Sequence, residues 1–290
     1  MAVSSRLFTN ARRSSELDAG TTASAAVLGA PLELTESFRP GAAEGPQAVR
    51  YFSDSLETYS RALGRDLDDL TLVDAGDVSL EDLTIEEAVE AIADATEAAA
   101  SLARLVCVIG GEHTVSLGAF RGIRRVHGDA ALVQLDAHLD FREEYEGEAL
   151  THASWLYHAG AESGFENIVQ CGVRSGERSE WPRARELLGW SSERLELPDE
   201  VRSRLGERPV YLTIDIDVLD PAHAPGTGCP EPGGVTFGEL EAFLHGLADL
   251  PVVGLDIVEV APSLDPAGIT AAAAAKLVRE CLLMFASGDG

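Results

Sequence analysis

The sequence has almost no lysine and few basic residues of any kind. Of its 290 residues only 22 are Lys or Arg, with Lys276 the single lysine, whereas 49 are Asp or Glu, for a net charge of −27. Such a surface repels polyanions, so we expect no nucleic-acid partner. A large excess of one charge also destabilises a compact fold by self-repulsion, which salt screens. Adaptation to a salty cytoplasm therefore fits better than a GC-rich genome, which explains the arginines but not the excess acid.

Long apolar runs and paired cysteines are also missing. No stretch reaches the roughly 18–20 apolar residues of a membrane span, and residues 1–20 lack the apolar segment of a secretory signal. The four cysteines, Cys107, Cys171, Cys229 and Cys281, form no CxxC pair, which argues against a zinc ribbon or a disulfide scaffold. We expect a protein of the reducing cytoplasm with no membrane partner.

What the sequence does contain is an alternation of short apolar segments with segments of helical spacing. We interpret residues 1–20 as an N-terminal arm and residues 21–290 as a single domain, because no linker-like break interrupts the pattern. Short apolar strands between helices indicate a parallel sheet covered on both faces. The fold class expected is therefore α/β, a single-domain three-layer α/β/α arrangement with a mainly parallel sheet.

The predicted elements can be stated by residue. A Gly/Pro-rich segment around residues 39–46 is predicted to be a loop, and Ser79 to cap the helix that follows it. The predicted strands cover residues 25–29, 70–73, 105–109, 131–135, 168–171, 210–214 and 252–257. The predicted helices cover residues 81–103, 115–126, 153–159, 177–188, 236–250 and 269–285.

Histidines and aspartates follow three of the predicted strands. In parallel sheets, ligands bind beyond the carboxyl ends of the strands, so these side chains are expected to converge. An extended backbone places residues i, i+2 and i+4 on one side, which suits the two clusters with that spacing. The candidate metal ligands are His113, Asp136, His138, Asp140, Asp215 and Asp217.

Six ligands, four of them anionic, are too many for one ion that keeps an open coordination position. They suit two divalent cations about 3.5–4 Å apart, bridged by carboxylates and a water. A set rich in oxygen with a minority of imidazole favours manganese over zinc. Without a cation, four converging carboxylates would repel one another and raise their own pKa values.

Four segments of the sequence resemble the ureohydrolase family, which includes arginase and agmatinase. LVQLDAHLD (132–140) and TIDIDVLDPAHAPGTGCPEPGG (213–234) are similar to its two long signature motifs. GGEHT (110–114) is similar to its first metal loop, with Glu112 and Thr114 where Asp and Ser are usual, and residues 29–50 resemble its N-terminal Gly-Pro segment. The likeness extends from about residue 25 to the C-terminus, and within it the agmatinase branch fits best.

The resemblance implies an arginase-like fold, two Mn²⁺ per chain and a homo-oligomer, a trimer or a hexamer. His113 and Asp140 would hold one ion and His138 and Asp217 the other. Asp136 and Asp215 would bridge both ions. Glu112 is not a ligand in the family, and Cys229, where Thr is usual, is interpreted as a packing residue, with an oxidation-sensitive thiol as the alternative.

The resemblance also implies three catalytic roles. Asp140 would accept a proton from the hydroxide that attacks the guanidinium carbon, and His152 would protonate the leaving amine. Glu259, directly after the last predicted strand, would pair with the planar guanidinium. The expected reaction is hydrolysis of a guanidino compound to urea and an amine.

Agmatine is the first choice of substrate, because Arg142 stands where arginases carry the Asn that holds the amino-acid end. The same arginine leaves guanidinobutyrate open, and aminopropylagmatine is a third possibility. Two alternatives come from other classes, a single-zinc deacetylase of the same fold and a catalytically inactive metal-binding regulator. The tandem His pair of the deacetylases is absent from the sequence. An inactive regulator would be expected to lack a metal ligand, the proton-donating His or the guanidinium-binding Glu, and this sequence has all of them. Candidate contacts to a distal amine are Glu143, Glu144, Tyr145 and Glu231.

Overall fold

A nine-stranded sheet forms the centre of the protein. The computed structural model describes residues 6–18 and 20–286. Within them the strands are β1 (Arg12–Arg13), β2 (Ala23–Ala30), β3 (Tyr59–Ser60), β4 (Arg65–Asp66), β5 (Leu72–Asp77), β6 (Ala103–Gly110), β7 (Ala131–Leu135), β8 (Ile168–Cys171), β9 (Trp190–Ser192), β10 (Val210–Asp215) and β11 (Val252–Val258). The sheet order is β1-β5-β2-β6-β11-β10-β7-β8-β9, and every neighbouring pair is parallel, while β3 and β4 form a separate antiparallel pair.

Helices cover both faces of this sheet. They are α1 (Gly45–Ser53), α2 (Ile85–Leu102), α3 (Val115–His127), α4 (Trp155–Ser163), α5 (Glu180–Leu187), α6 (Asp199–Leu205), α7 (Phe237–His245) and α8 (Ile269–Phe285). Buried residues of α1, α6, α7 and α8 belong to one core cluster and those of α2 to α5 to a second. The predicted three-layer α/β/α fold is therefore confirmed. Among the described helices, none has the length and apolarity needed to cross a bilayer.

The start of α2 differs from the sequence prediction. Thr84, not Ser79, is the cap, because its hydroxyl accepts the Glu87 N–H at 3.3 Å while the Glu87 carboxylate accepts the Thr84 N–H at 2.9 Å. Such a reciprocal pair satisfies two backbone donors that the first turn of a helix leaves free. The Ser79 prediction was therefore wrong by five residues.

The Gly/Pro-rich segment and the N-terminal arm contain structure that the sequence pattern did not indicate. Helix α1 occupies part of the predicted loop, with Pro46 in its first turn, a position that tolerates proline because no N–H is needed there. In the arm, β1 pairs with β5 at the edge of the sheet, and Phe8 is buried in the core. Residues 1–5 and 19 of the arm lie outside the described residues.

The surface carries the charge excess seen in the sequence, which leads to a prediction about salt. Even well-placed cations are shared among several acids: Arg125 lies 2.7 Å from Asp94 and 3.3 Å from Glu97, and also pairs with Glu90. Acidic residues outnumber basic ones 49 to 22, so negative charge stays in excess even where such pairs form. Raising KCl from 0.1 M to 1 M shortens the screening length from about 10 Å to about 3 Å. We expect the melting temperature of the metal-loaded protein to rise across that series, and a flat or falling series would contradict a salt-adapted surface.

Candidate metal centre

Three strands, β6, β10 and β7, bring the predicted metal ligands to one edge of the sheet. β6, β11, β10 and β7 lie side by side and parallel, so their carboxyl ends meet there. His113 lies in the turn between β6 and α3, and Asp215 is the last residue of β10. The structure places the six candidate ligands together at this edge, as the strand-end argument predicts.

The donor atoms fall into two groups that share one residue. His113, Asp136 and Asp140 form the first, and Asp136, His138 and Asp217 the second, with the ligand atoms of each group within 4.8 Å of one another. Asp215 approaches the first group, with its Oδ2 3.2 Å from His113 Nδ1. In the second group, His138 Nδ1 lies 2.8 Å from Asp217 Oδ2. Two groups joined by one carboxylate suit a pair of adjacent cations.

Hydrogen bonds around the ligands fix their orientation. Gln134 Nε2 donates to Asp136 Oδ2 at 2.5 Å, and Gln170 Nε2 holds Gln134 by donating to its Oε1 at 2.8 Å. On the other side of the site, His113 Nε2 lies 2.9 Å from Thr213 Oγ1, so Nδ1 faces the carboxylates. Partners of this kind set the ring orientation of metal-binding histidines.

Burial and mutual repulsion shift the pKa values of the aspartates in the site. Burial, together with repulsion from Asp140 and Asp217, raises the pKa of Asp136 to about 7. Burial and repulsion from Asp217 also raise the pKa of Asp215 well above its usual value. For Asp217, the nearby His138 outweighs the effect of burial and the pKa is lowered. Without a cation, Asp136 and Asp215 therefore tend to hold protons, and a bound cation would favour their charged forms.

The geometry of His113 fits a cation as well. Its buried Nδ1 lies 3.0 to 3.2 Å from oxygens of Asp136, Asp140 and Asp215, yet none of these approaches has the angles of a hydrogen bond. A ring nitrogen and carboxylate oxygens that converge without bonding one another are typical of ligands to a shared ion. The residues present thus fit the metal pair that the sequence predicts.

Two residues of the candidate site have a backbone conformation that is rare outside glycine. Asp140 has φ 48° and Glu259 has φ 64°. A residue with a side chain is held in this left-handed region only where its surroundings over-determine it, and such residues cluster at functional sites. Trp155 Nε1 donates to Asp140 Oδ2 at 3.1 Å, and Glu259 Oε1 accepts the His113 N–H at 2.8 Å. The orientation of both carboxylates is therefore fixed by the backbone conformation and by a hydrogen-bond partner.

Gly111 is required between β6 and His113. A Cβ there would lie 1.9 Å from the carbonyl oxygen of Leu32. The close approach lets Gly111 N–H donate to Ala30 O and Gly111 O accept the Glu259 N–H, both at 2.8 Å. Glycine at this position therefore ties the start of the metal loop to β2 and to Glu259.

A cavity of about 330 Å³ opens above the ligands. Asp140, Asp215 and Asp217 line its floor together with His138, and Glu259 and His152 also line it. His152 is held through both ring nitrogens, with Nδ1 3.3 Å from Thr35 Oγ1 and Nε2 3.2 Å from Ser37 Oγ. The three predicted catalytic residues, Asp140, His152 and Glu259, thus share one cavity with the metal ligands.

Of the predicted substrate contacts, only some reach the cavity. Tyr145 lines the cavity. Glu143 instead forms an ion pair with Arg183, and the side chains of Glu144 and Glu231 do not line the cavity. Arg142 lines the cavity, but its guanidinium lies 4.5 Å from the centre of the Tyr145 ring and its Nε lies 3.4 Å from Glu180 Oε2.

Cys229 also lines the cavity. Burial, then the charges of Glu259 and the aspartates, raises the pKa of its thiol to about 12. The thiolate is the reactive form of cysteine, so this thiol stays neutral and is a weak nucleophile near pH 7.

Sequence reasoning missed Glu36, a carboxylate in the same cavity. Its buried Oε1 has no hydrogen-bond partner among residues 6–18 and 20–286. Burial and repulsion from Glu33 and Glu112 raise its pKa to about 7. Glu36 lies in a polar loop that has no periodic pattern, so the sequence does not indicate that it reaches the cavity. In the structure this loop lies against residues 227–228, because Arg39 donates to Thr227 O at 2.7 Å and to Gly228 O at 3.0 Å.

Comparison with known proteins shows which proteins this chain is similar to. The chain is 41% identical over 267 residues to an agmatinase of Bacillus subtilis, covering 91% of this chain and 92% of that protein. It is 35% identical to a guanidinobutyrase of Pseudomonas aeruginosa, covering 93% and 88%. The solved structure of proclavaminate amidino hydrolase from Streptomyces clavuligerus superposes with a TM-score of 0.87 at 32% identity, covering 97% of each chain. That of the agmatine ureohydrolase of Thermoplasma volcanium gives 0.84 at 30%, covering 97% and 94%.

The predicted resemblance is thereby confirmed at the level of the family. The family model described as "Arginase family" matches residues 23–284, which is most of the chain. With that match and these identities, the chain belongs to the arginase family of amidinohydrolases.

Proposed function

We propose that this protein is an agmatinase, which hydrolyses agmatine to urea and putrescine with two Mn²⁺ per chain. The observation that carries the choice of substrate is the charge of the cavity wall. Glu36, Glu177 and Glu259 line it, and its one arginine, Arg142, is engaged by Glu180 and Tyr145. The wall therefore favours a substrate with two positive charges over one with a carboxylate.

The metal pair would be held by the six residues at the strand ends. In this proposal His113 and Asp140 would hold one ion, His138 and Asp217 the other, and Asp136 and Asp215 would contribute to holding both. When bound, two divalent cations would act as Lewis acids and would supply a nucleophile near neutral pH by lowering the pKa of water. Oxygen donors outnumber imidazoles in the set, which is why manganese is proposed.

The chain's own residues would carry the remaining steps. Glu259 pairs with the guanidinium and fixes its carbon above the metal ligands. Asp140 takes the proton of the attacking nucleophile, and His152 gives a proton to the nitrogen of the leaving amine as the C–N bond breaks. All three line the same cavity, which is the reason for assigning these roles around one bound substrate.

The guanidino-acid alternative is the runner-up. Arg142 is the residue that suggested it, and similarity to a guanidinobutyrase keeps it open. Its guanidinium stacks on Tyr145 and pairs with a Glu180 that is almost wholly buried, so its charge is already compensated. Aminopropylagmatine, a longer amine, would also suit an acidic wall.

Urea release from agmatine, arginine, guanidinobutyrate and aminopropylagmatine, measured side by side with Mn²⁺ in high salt, tests the proposal. We expect kcat/KM for agmatine to exceed that for arginine at least about 100-fold, or roughly 2.7 kcal/mol of transition-state discrimination. Preference for guanidinobutyrate would refute the agmatinase assignment and leave the amidinohydrolase class intact. If no substrate yields urea and the protein binds one zinc, the deacetylase alternative is favoured. If the protein binds metal but turns over none of the substrates, the inactive regulator is favoured.

Assembly and location complete the proposal. We propose a cytoplasmic homo-oligomer, a trimer or a hexamer, with no nucleic-acid or membrane partner, consisting of a single domain over residues 21–290 preceded by the arm. Seven large apolar side chains of the described residues are exposed, among them Phe38 at 70% and Tyr51 at 57%, and an interface between subunits would cover some of them.

A further inference from the structure

Glu112, beside the metal ligand His113, points away from the metals toward the loop of residues 31–41. It is fully buried. Its Oε2 accepts the backbone N–H groups of Leu34 and Thr35 at 2.8 and 2.7 Å, and its Oε1 lies 2.7 Å from Thr35 Oγ1. The carboxylate is thus used entirely to hold the start of this loop.

The hydroxyl of Thr35 has its hydrogen committed by this contact. A carboxylate can only accept, so the hydroxyl must donate to Glu112 Oε1. A hydroxyl has one hydrogen and two lone pairs, so every other partner of Thr35 Oγ1 must donate to it. The His152 backbone N–H does so at 2.9 Å, and the second close partner is His152 Nδ1 at 3.3 Å. Thr114 Oγ1 is farther away, at 3.4 Å.

We infer that Glu112 and Thr35 act as positioning residues that keep the hydrogen of His152 on Nδ1. In neutral imidazole one nitrogen donates and the other accepts. With Nδ1 donating to Thr35, Nε2 carries the lone pair, which accepts from the Ser37 hydroxyl 3.2 Å away. Nε2 is then the one nitrogen through which His152 gains and loses a proton.

This inference rests on the proposed role of His152 as the acid that protonates the leaving amine. In its cationic form His152 carries hydrogens on both nitrogens. When the C–N bond breaks, its electron pair goes to the amine nitrogen, which takes the proton from Nε2. His152 is left neutral with its hydrogen on Nδ1, the form that Thr35 accommodates, and Nε2 regains a proton from water. Because the tautomer is fixed, His152 ends each catalytic cycle with the same hydrogens on Nδ1 and Nε2 as it had at the start.

The spectroscopic test is ¹⁵N NMR of protein with labelled histidine, loaded with Mg²⁺ so that no paramagnetic ion broadens the signals. The sequence has seven histidines, and the His152→Gln spectrum identifies the signals of this one. We expect neutral His152 to show a protonated Nδ1 and an unprotonated Nε2. Predominance of the Nε2–H tautomer in the unsubstituted protein would overturn the inference.

Glu112→Gln provides the sharpest variant, because it should invert the tautomer. The amide oxygen must face the N–H groups of Leu34 and Thr35, so the NH₂ group faces Thr35 Oγ1 and donates to it. The Thr35 hydroxyl hydrogen is then free to be donated to Nδ1, which moves the ring hydrogen to Nε2. An unchanged Nδ1–H signal in a folded Glu112→Gln protein would contradict the relay.

Thr35→Val and Thr35→Ser form a matched pair. The valine variant keeps the shape but has no hydroxyl, so we expect a mixture of tautomers and a kcat about 10 to 100-fold lower with little change in KM, the size seen when a supporting partner is removed. Serine should restore both the spectrum and kcat. Equal behaviour of the two variants would refute the inference. An inactive unsubstituted protein would instead refute the proposed function, and the NMR result would still decide the tautomer.

Discussion

Exchanging Asp136 for asparagine is expected to lower kcat/KM for urea release at least about 1000-fold, equivalent to roughly 4 kcal/mol. Asp136 is the one residue shared by both groups of donor atoms, so its replacement weakens both metal positions at once. An amide has no charge to balance a cation, and metal ions contribute several kcal/mol to such reactions. Metal analysis of the purified variant should show clearly fewer than the two Mn²⁺ per chain expected of the unsubstituted protein.

Asp220→Asn is the matched control for this experiment. Asp220 follows the Asp215 to Asp217 cluster closely, but its carboxylate accepts the N–H groups of Ala222 and Gly233 at 3.0 and 2.8 Å and belongs to neither metal group. We expect metal content and kcat to stay near those of the unsubstituted enzyme. Equal losses in the two variants would mean that Asp136 acts through folding rather than through metal.

The same charges predict how the metal-free protein responds to pH. A carboxylate whose pKa is raised on folding, such as Asp136 with its pKa of about 7, destabilises the fold progressively as the pH rises from about 4 to 7. A histidine with a raised pKa, such as His138 with about 11, stabilises the fold below its unfolded value of about 6.5 and loses that effect as the pH rises further. Both effects lower the stability of the fold as the pH rises. The melting temperature in EDTA should therefore fall by roughly 5 °C or more between pH 5 and pH 8.

Added Mn²⁺ should reverse that trend, because the cations compensate the buried carboxylates. Melting curves at each pH, with EDTA and with Mn²⁺, compare the two states directly. A melting temperature in EDTA that rises with pH would contradict the charge balance described for the site.

Replacing Glu259 with glutamine is the second change with a large expected effect. Burial, then repulsion from Asp215 and Glu36, raises the pKa of Glu259 well above its usual value, and a guanidinium bound beside it would favour the charged carboxylate. Breaking such a buried charge pair costs about 3 kcal/mol, which corresponds to a loss of roughly 150-fold in kcat/KM for agmatine. Glutamine retains an oxygen for the His113 N–H, so metal content should not change.

Glu177→Gln separates this effect from a general loss of negative charge. Glu177 lines the same cavity, but we assign it no contact to the guanidinium. The control should lose less than about 3-fold in kcat/KM, within what an exposed charge contributes. A loss as large as that of the Glu259 variant would show that the wall acts through its total charge alone.

Sequence periodicity predicted the central strands well because parallel strands buried on both faces are continuous apolar runs. β7 and β8 have the predicted bounds, and α8 does as well. The misses have physical reasons. Helix α1 begins with Gly45 and Pro46, residues typical of loops, and β9 is a three-residue edge strand, Trp190–Ser192, with two serines and little apolar signal.

Some residues of the candidate site could be predicted from the sequence and others could not. The metal-ligand candidates follow apolar strands directly, so their convergence at one edge could be predicted from the strands. Glu36 and Thr35 could not be predicted as neighbours of the cavity, because they lie in an irregular loop whose path depends on distant contacts such as those from Arg39 and Glu112. Loop positions of this kind carry no periodic signal.

The position of β11 has a consequence for how the protein is made. This strand comes last in sequence among the described strands but lies between β6 and β10 in the sheet. Until residues 252–258 have left the ribosome, the strands can only form two separate half-sheets, one followed by His113 and the other by the five remaining ligands. Pairing between distant segments is slow because the intervening chain must be closed first. Complete metal uptake therefore awaits the synthesis of β11, and nascent chains that stop before it should leave the ribosome without a complete metal pair.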